Sequence, residues 1–161
     1  MPDAFGTAIR DFHRGTQDEP LIQRDGEETL EHPIEEFYFG TFDPERSESA
    51  WIESHVRGPL LDVGAGAGRD SRYFQEQFET VAIEVSDALV ETMTDRGVED
   101  ARRGDMFELP QQFGPDRFGS VLSIGTQTCL VGSMDGLEAL LEDLAVVTRD
   151  DGTAVVDGYD P

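Results

Sequence analysis

The sequence predicts an α/β fold: a doubly wound, mostly parallel sheet preceded by an N-terminal helical extension. Three observations predict it. From Pro59 onward, short apolar runs alternate with amphipathic stretches, the pattern of strands joined by crossover helices. The first run, Leu60-Leu61-Asp62-Val63, enters a turn with glycines at Gly64, Gly66 and Gly68. The second run ends on an acid, Glu84, twenty residues after Gly64. The chain accordingly divides into a helical cap over residues 1–57 and a sheet-forming core over 58–161.

Residues 1–57 are polar, carry clustered aromatics and show no strong strand pattern. Helices are predicted over 27–39 and 45–56. In the second, Trp51, Ile52, His55 and Val56 recur at helical spacing, and Gly58-Pro59 ends it. Beyond Pro59, strands are predicted over 60–63, 80–83, 99–103, 118–124 and 153–157, the third being the weakest. Helices are predicted over 69–78, 87–96 and 136–148. Leu137, Leu140, Leu141, Leu144 and Val147 make an apolar stripe on the last, which reads as core packing. No repeat or low-complexity segment interrupts the pattern.

A chain of 161 residues suffices for one domain with a buried core. No stretch approaches the roughly 20 apolar residues of a membrane span, and the first residues lack a secretory pattern. A cytoplasmic location is therefore expected. The single cysteine, Cys129, has no partner for an internal disulfide and no Cys or His neighbour at metal-ligand spacing, so no metal site is predicted. Its default place is a small buried position.

The charge balance says more. Asp and Glu number 35 against 12 basic residues, all of them arginine, for a formal net charge of −23. The acids are spread throughout, as at Glu27-Glu28, Glu35-Glu36 and Asp150-Asp151. Such a surface repels itself in dilute buffer and is relieved in molar salt, where the Debye length falls to about 3 Å. The composition resembles that of proteins from salt-accumulating (haloarchaeal) cytoplasm. It offers no basic face for a phosphate backbone, which disfavours nucleic acid as a partner.

The chemistry lies in the glycine-rich turn. Glycines permit a tight reversal and close approach of a ligand, because no Cβ intervenes. A dinucleotide fingerprint beginning at Gly64 would need Gly or Ala at position 69, which is Arg69. Instead the sequence reads Asp62-Val63-Gly64-Ala65-Gly66-Ala67-Gly68. This resembles the first motif of class I S-adenosylmethionine (SAM)-dependent methyltransferases; a structural turn without a ligand is the alternative. The resemblance implies that Asp62, Gly64, Ala65, Gly66 and Gly68 surround the methionine part of SAM. Glu84, followed by Val85, would accept from the ribose hydroxyls. In Gly104-Asp105-Met106, Asp105 would accept from the adenine amino group and Met106 would meet the ring.

The fourth strand leads into Gly125-Thr126-Gln127-Thr128, a loop that in the family usually lies beside the transferred methyl. It lacks the Asn/Asp-Pro-Pro-aromatic motif of adenine and glutamine aminomethylating enzymes. Nor does a proline precede Cys129, as in cytosine-5 enzymes. Both absences favour a small molecule or a protein side chain as acceptor, and the reading adopted is a small-molecule methyltransferase. The alternatives are a SAM-binding module acting through a partner or self-association, and a nucleotide-dependent oxidoreductase. Acceptor-side candidates are Tyr38, Phe39, Thr126 and Gln127, whereas His55, beside Trp51, reads as packing or exposure. The resemblance spans residues 59–157, five of the family's usual seven strands, and the sequence stops at Asp160-Pro161. The fifth strand is thus expected at a sheet edge, without proline, lysine or bulge signal to blunt it, and open to homodimerisation. Asp150, Asp151, Asp157 and Asp160 would oppose such pairing.

Overall fold

The structure, a computed structural model, describes residues 3–125 and 127–158. It opens with helix α1 (Ala4–Arg14), an antiparallel hairpin of β1 (Ile22–Asp25) and β2 (Glu28–Glu31), and helices α2 (Ile34–Tyr38) and α3 (Ser47–His55). The core follows as β3 (Leu60–Val63), α4 (Arg69–Phe74), β4 (Thr80–Glu84), α5 (Asp87–Asp95) and β5 (Ala101–Arg103). It continues through a 3-10 turn (Met106–Glu108), α6 (Leu109–Gln112), β6 (Phe118–Ser123), a second 3-10 turn (Gln127–Val131), α7 (Met134–Val147) and β7 (Thr148–Val156). The five core strands form one parallel sheet in the order β5-β4-β3-β6-β7. The chain therefore winds outward from β3 in one direction, then returns and winds outward in the other. The reversal falls between β3 and β6, where doubly wound sheets bind their ligands.

Every residue of β3, β4 and β6 is buried, as parallel strands covered on both faces should be. Successive side chains alternate between two cores. Leu60, Leu122 and Val155 pack with Phe42, Ile52, Val56 and Phe74 under α3 and α4. Leu61, Val63, Val81, Ile83 and Val121 pack with Leu109, Leu140, Leu144 and Val147 under α6 and α7. Each such aliphatic side chain contributes about 1.5–3 kcal/mol by leaving water. The cap is held on by a third cluster, in which Ile9 and Ile34 meet Ala67 and Leu89. Ion pairs from Arg10 to Glu91 and from Arg14 to Asp95 add to it at the surface.

The cap differs most from the sequence expectation. Residues 22–31 form a hairpin where a helix over 27–39 is predicted, and only Ile34–Tyr38 is helical. Asp25-Gly26 is a turn dipeptide, and Gly26 takes φ +60°. All eight strand residues are exposed, so no alternation marks the strands in the sequence. Pro33 keeps His32 out of helical conformation and sets where α2 begins. Helix α1 is an addition: the Asp3 carboxylate accepts from Gly6 N–H at 2.8 Å, and Gly15 closes the helix at φ +67°. In α3 only Ile52 of the expected stripe is buried, with Val56 just beyond; Trp51 is 55% exposed and packs on His55 at 4.3 Å. Cys129 is exposed rather than buried.

The fifth core strand is longer than residues 153–157 and carries a bulge. Phe118 pairs with Thr148 but Ser120 pairs with Thr153, so the four residues 149–152 stand opposite Gly119 alone, three more than regular pairing needs. Gly152 permits this: a Cβ there would stand 2.4 Å from the Thr148 methyl and 2.9 Å from the Gly119 carbonyl oxygen. Among the described residues, no helix is long and apolar enough to cross a membrane.

Candidate functional site

The glycine-rich turn leaves β3 at the reversal point. Gly64, Gly66 and Gly68 all have positive φ, at 68°, 59° and 77°, which a side chain would resist. Gly64 and Ala65 N–H both donate to the Ile83 carbonyl, and Gly68 N–H to the Ala65 carbonyl. Gly66 N–H donates to Glu84 Oε1 at 2.8 Å. The amides at 64, 65, 66 and 68 are thus spent within the protein. What the turn offers a ligand is close approach.

Glu84 ends β4, 9% exposed. Its Oε2 accepts from Val85 N–H at 3.2 Å. Burial raises its pKa, and the two backbone N–H groups hold the rise in check. A carboxylate has about four lone-pair positions, so two remain after these bonds. In front of it lies a cavity of about 170 Å³. This cavity gathers Gly64, Glu84, Val85, Asp105, Met106 and Gln127 of the sequence candidates. Asp105 Oδ1 is occupied by Phe107 N–H at 2.9 Å, and Gln112 brackets the Asp105 backbone through both its amide atoms. Met106 is buried in the core beneath the cavity. Gln127 lies directly over Gly64, where a Cβ would come within 2.5 Å of its side chain.

The other candidates stand apart from the cavity lining. Asp62 is buried and accepts from Ser71 Oγ at 2.5 Å, tying β3 to α4. Burial first, and Asp70 second, push its carboxyl up to about 7. Ala65 is half-buried beside the cluster of Ala82, Met93 and Val98, and Gly68 packs closely on Val98. Tyr38 covers Gly66: a Cβ on Gly66 would sit 3.3 Å from its ring. Its phenol is pushed up to about 12 by burial, with Glu84 nearby. Phe39 stacks on Phe12 at 5.3 Å and takes the Arg96 guanidinium on its ring at 4.8 Å, a packing role in the cap. Thr126 lies outside the described residues. His55 is exposed at the far end of α3, its ring bonded to the Trp51 carbonyl.

Two exposed apolar residues complete the cavity rim and are missing from the sequence reading: Phe107, 48% exposed, and Leu130, 65% exposed. Only the position of Phe107 just after Asp105-Met106 could have pointed to it. Leu130 comes from the 3-10 turn after β6 and has no sequence signal of its own.

A glycine turn, a strand-end acid and an apolar-rimmed cavity thus lie together at the carboxyl ends of a doubly wound sheet, where such folds bind their ligands. The family described as "Methyltransferase domain" matches residues 61–156, and the chain belongs to that family. Among solved structures, it is similar to a SAM-dependent methyltransferase from Bacteroides fragilis in complex with S-adenosyl-L-homocysteine. That likeness has 26% identity and TM-score 0.77, covering 94% of this chain and 64% of the other. Streptomyces venezuelae DesVI shares the fold at 23% identity and TM-score 0.63, over 78% and 55% of the two chains. The SAM-bound amino pentose methyltransferase CalS10 from Micromonospora echinaspora does so at 20% and 0.62, over 82% and 58%. The chain thus spans less than two thirds of these structures' length. No curated protein matches it.

Proposed function

We propose that this chain is a SAM-dependent methyltransferase domain acting on a small molecule. The observation that carries the reading is Glu84, held by Gly66 and Val85 N–H at the mouth of the cavity. The adenosine end of SAM fits there: ribose hydroxyls against the spare Glu84 lone pairs, adenine between Met106, Phe107 and Leu130, with Asp105 as acceptor for its amino group. The cavity is too small for the whole cofactor, so the methionine end would run along Gly64 and Gly66, under Tyr38. Gln127 then has to swing off Gly64.

Bound SAM supplies an electrophilic methyl on a sulfonium. The protein's contribution is to align an acceptor with that methyl, and such positioning supplies much of the rate. A base is needed only for an acceptor that must lose a proton. Tyr38 and Gln127, which flank the turn, are the acceptor-side residues. Asp62 braces the turn through its bond to Ser71 of α4. A small acceptor agrees with a chain that has 35 acids and no lysine, whose net charge of −23 would repel nucleic acid. The test is calorimetry with S-adenosylhomocysteine and with NAD. Binding of the former alone is expected; tighter binding of NAD would overturn the reading.

A further inference from the structure

The turn that follows β6 is fastened to the end of β7 by one residue, Asp157. Its backbone N–H donates to the Ser123 carbonyl at 3.3 Å and extends the β6–β7 ladder by one step. Its Oδ2 accepts from Gly125 N–H at 2.9 Å, and its backbone carbonyl accepts from Thr128 Oγ1. These bonds bracket Gln127, whose side chain lies flat on Gly64. A Cβ on Gly64 would stand 2.5 Å from Gln127 Cδ and 2.8 Å from its Cγ and Oε1. The Gly64 N–H is already given to the Ile83 carbonyl, so room is what this glycine offers a ligand. Gln127 takes that room, and a ligand atom on Gly64 and this side chain exclude one another.

We infer that Gln127 is a self-occluding plug of the cofactor site, held on Gly64 by Asp157, so that cofactor binds against a closed conformation. The inference rests on the methyltransferase reading and adds a regulation to it. Two side chains roof the glycine turn, and they are held differently. Tyr38, over Gly66, belongs to α2, which Arg96 and the cluster of Ile9, Ile34, Ala67 and Leu89 secure. Gln127 stands on a 3-10 turn with no buried residue, so it is the roof that moves at small cost. Apparent affinity for the cofactor is then its intrinsic affinity multiplied by the fraction of molecules with Gln127 off Gly64. A plug and a ligand-contacting side chain have opposite signatures: removing a plug tightens binding, whereas removing a contact weakens it. Asp157 is a positioning residue. It acts through the Gly125 N–H, and an asparagine carbonyl oxygen there accepts the same bond.

The test is calorimetry with S-adenosylhomocysteine on the 161-residue chain in molar KCl, for wild type, Gln127→Ala, Asp157→Ala and Asp157→Asn. Melting curves establish that each variant is folded. Gln127→Ala should bind about five-fold or more tightly than wild type, as the plugged fraction disappears. Asp157→Ala should tighten binding about three-fold, and Asp157→Asn should stay within about two-fold of wild type. Nuclear Overhauser contacts between the Gln127 side chain and the Gly64 α-protons should be present in the free protein and vanish as S-adenosylhomocysteine is added. Absence of those contacts in the free protein, or Gln127→Ala binding no tighter than wild type, would overturn the plug. Asp157→Ala binding no tighter, or Asp157→Asn matching Asp157→Ala, would overturn the role of Asp157. If neither wild type nor Gln127→Ala binds S-adenosylhomocysteine, the methyltransferase reading fails and the plug with it. If wild type binds and Gln127→Ala gains nothing, the plug alone fails.

Discussion

Arg96 donates from Nη1 to the Tyr38 carbonyl at 2.9 Å, and the same nitrogen reaches the Ala67 carbonyl at 2.5 Å. One arginine at the end of α5 thereby fastens the last turn of the cap helix α2 to the glycine-rich turn. In a chain with 35 acids, it makes no ion pair with any described carboxylate. Its guanidinium is half-buried, which lowers its pKa to about 10. Arg96→Met keeps much of the apolar stem and removes both donors. Stability should fall by about 1–3 kcal/mol, the cost of leaving buried acceptors unmet. Hydrogen exchange should quicken at residues 34–38 and not in β4 or β6. Unchanged exchange in α2 would mean that the apolar cluster alone holds the cap.

Asp62 makes stability depend on pH. Its carboxyl is pushed up to about 7 from an ordinary value of 3.8, by burial first and Asp70 second. The folded chain therefore keeps a proton that the unfolded chain gives up. This contribution is full below 3.8 and is lost as pH rises towards about 7. Asp62→Asn keeps an acceptor for Ser71 and removes the titration. Its melting temperature should fall less steeply than that of the wild type across this window. Parallel curves would mean that Asp62 is ionised throughout.

The net charge of −23 should make the fold depend on salt. Raising KCl from about 0.1 M to about 1 M shortens the Debye length from about 10 Å to about 3 Å and screens self-repulsion. Melting temperature should rise steeply over that range. A flat response would remove the salt-adapted reading while leaving the cofactor site untouched.

In the 161-residue chain, β7 forms one edge of the sheet, with Ala154 and Val156 exposed and Val155 buried. An open edge is a template for pairing with a second copy. The bulge at 149–152 blunts its first half, which leaves residues 153–156 as the pairing segment. Light scattering in molar KCl should show a dimer, with those amides protected from exchange. A stable monomer with exposed 153–156 amides in a folded domain would contradict this.

The core was legible because its signals are local and strong. Leu60–Val63 and Thr80–Glu84 are largely apolar runs ending at a glycine and at an acid, and buried parallel strands read as such runs. The hairpin was not legible, since its eight residues face solvent and carry no period. Glu84 could be found by spacing alone. The Asp62 bond to Ser71 could not, because it depends on how α4 packs on β3. Phe107 and Leu130 reach the cavity through short 3-10 turns, whose course no periodicity records.

Glu84 is the residue proposed to receive the ribose of SAM. Titrating S-adenosylhomocysteine into wild type and Glu84→Ala by calorimetry tests this directly. Charge-assisted hydrogen bonds to the ribose hydroxyls predict a loss of about 1.5–3 kcal/mol of binding free energy in the variant. The variant's melting curve, taken alongside, separates a folding defect from a binding one. A folded Glu84→Ala protein that binds S-adenosylhomocysteine as tightly as the wild type would place Glu84 outside the site and contradict the account.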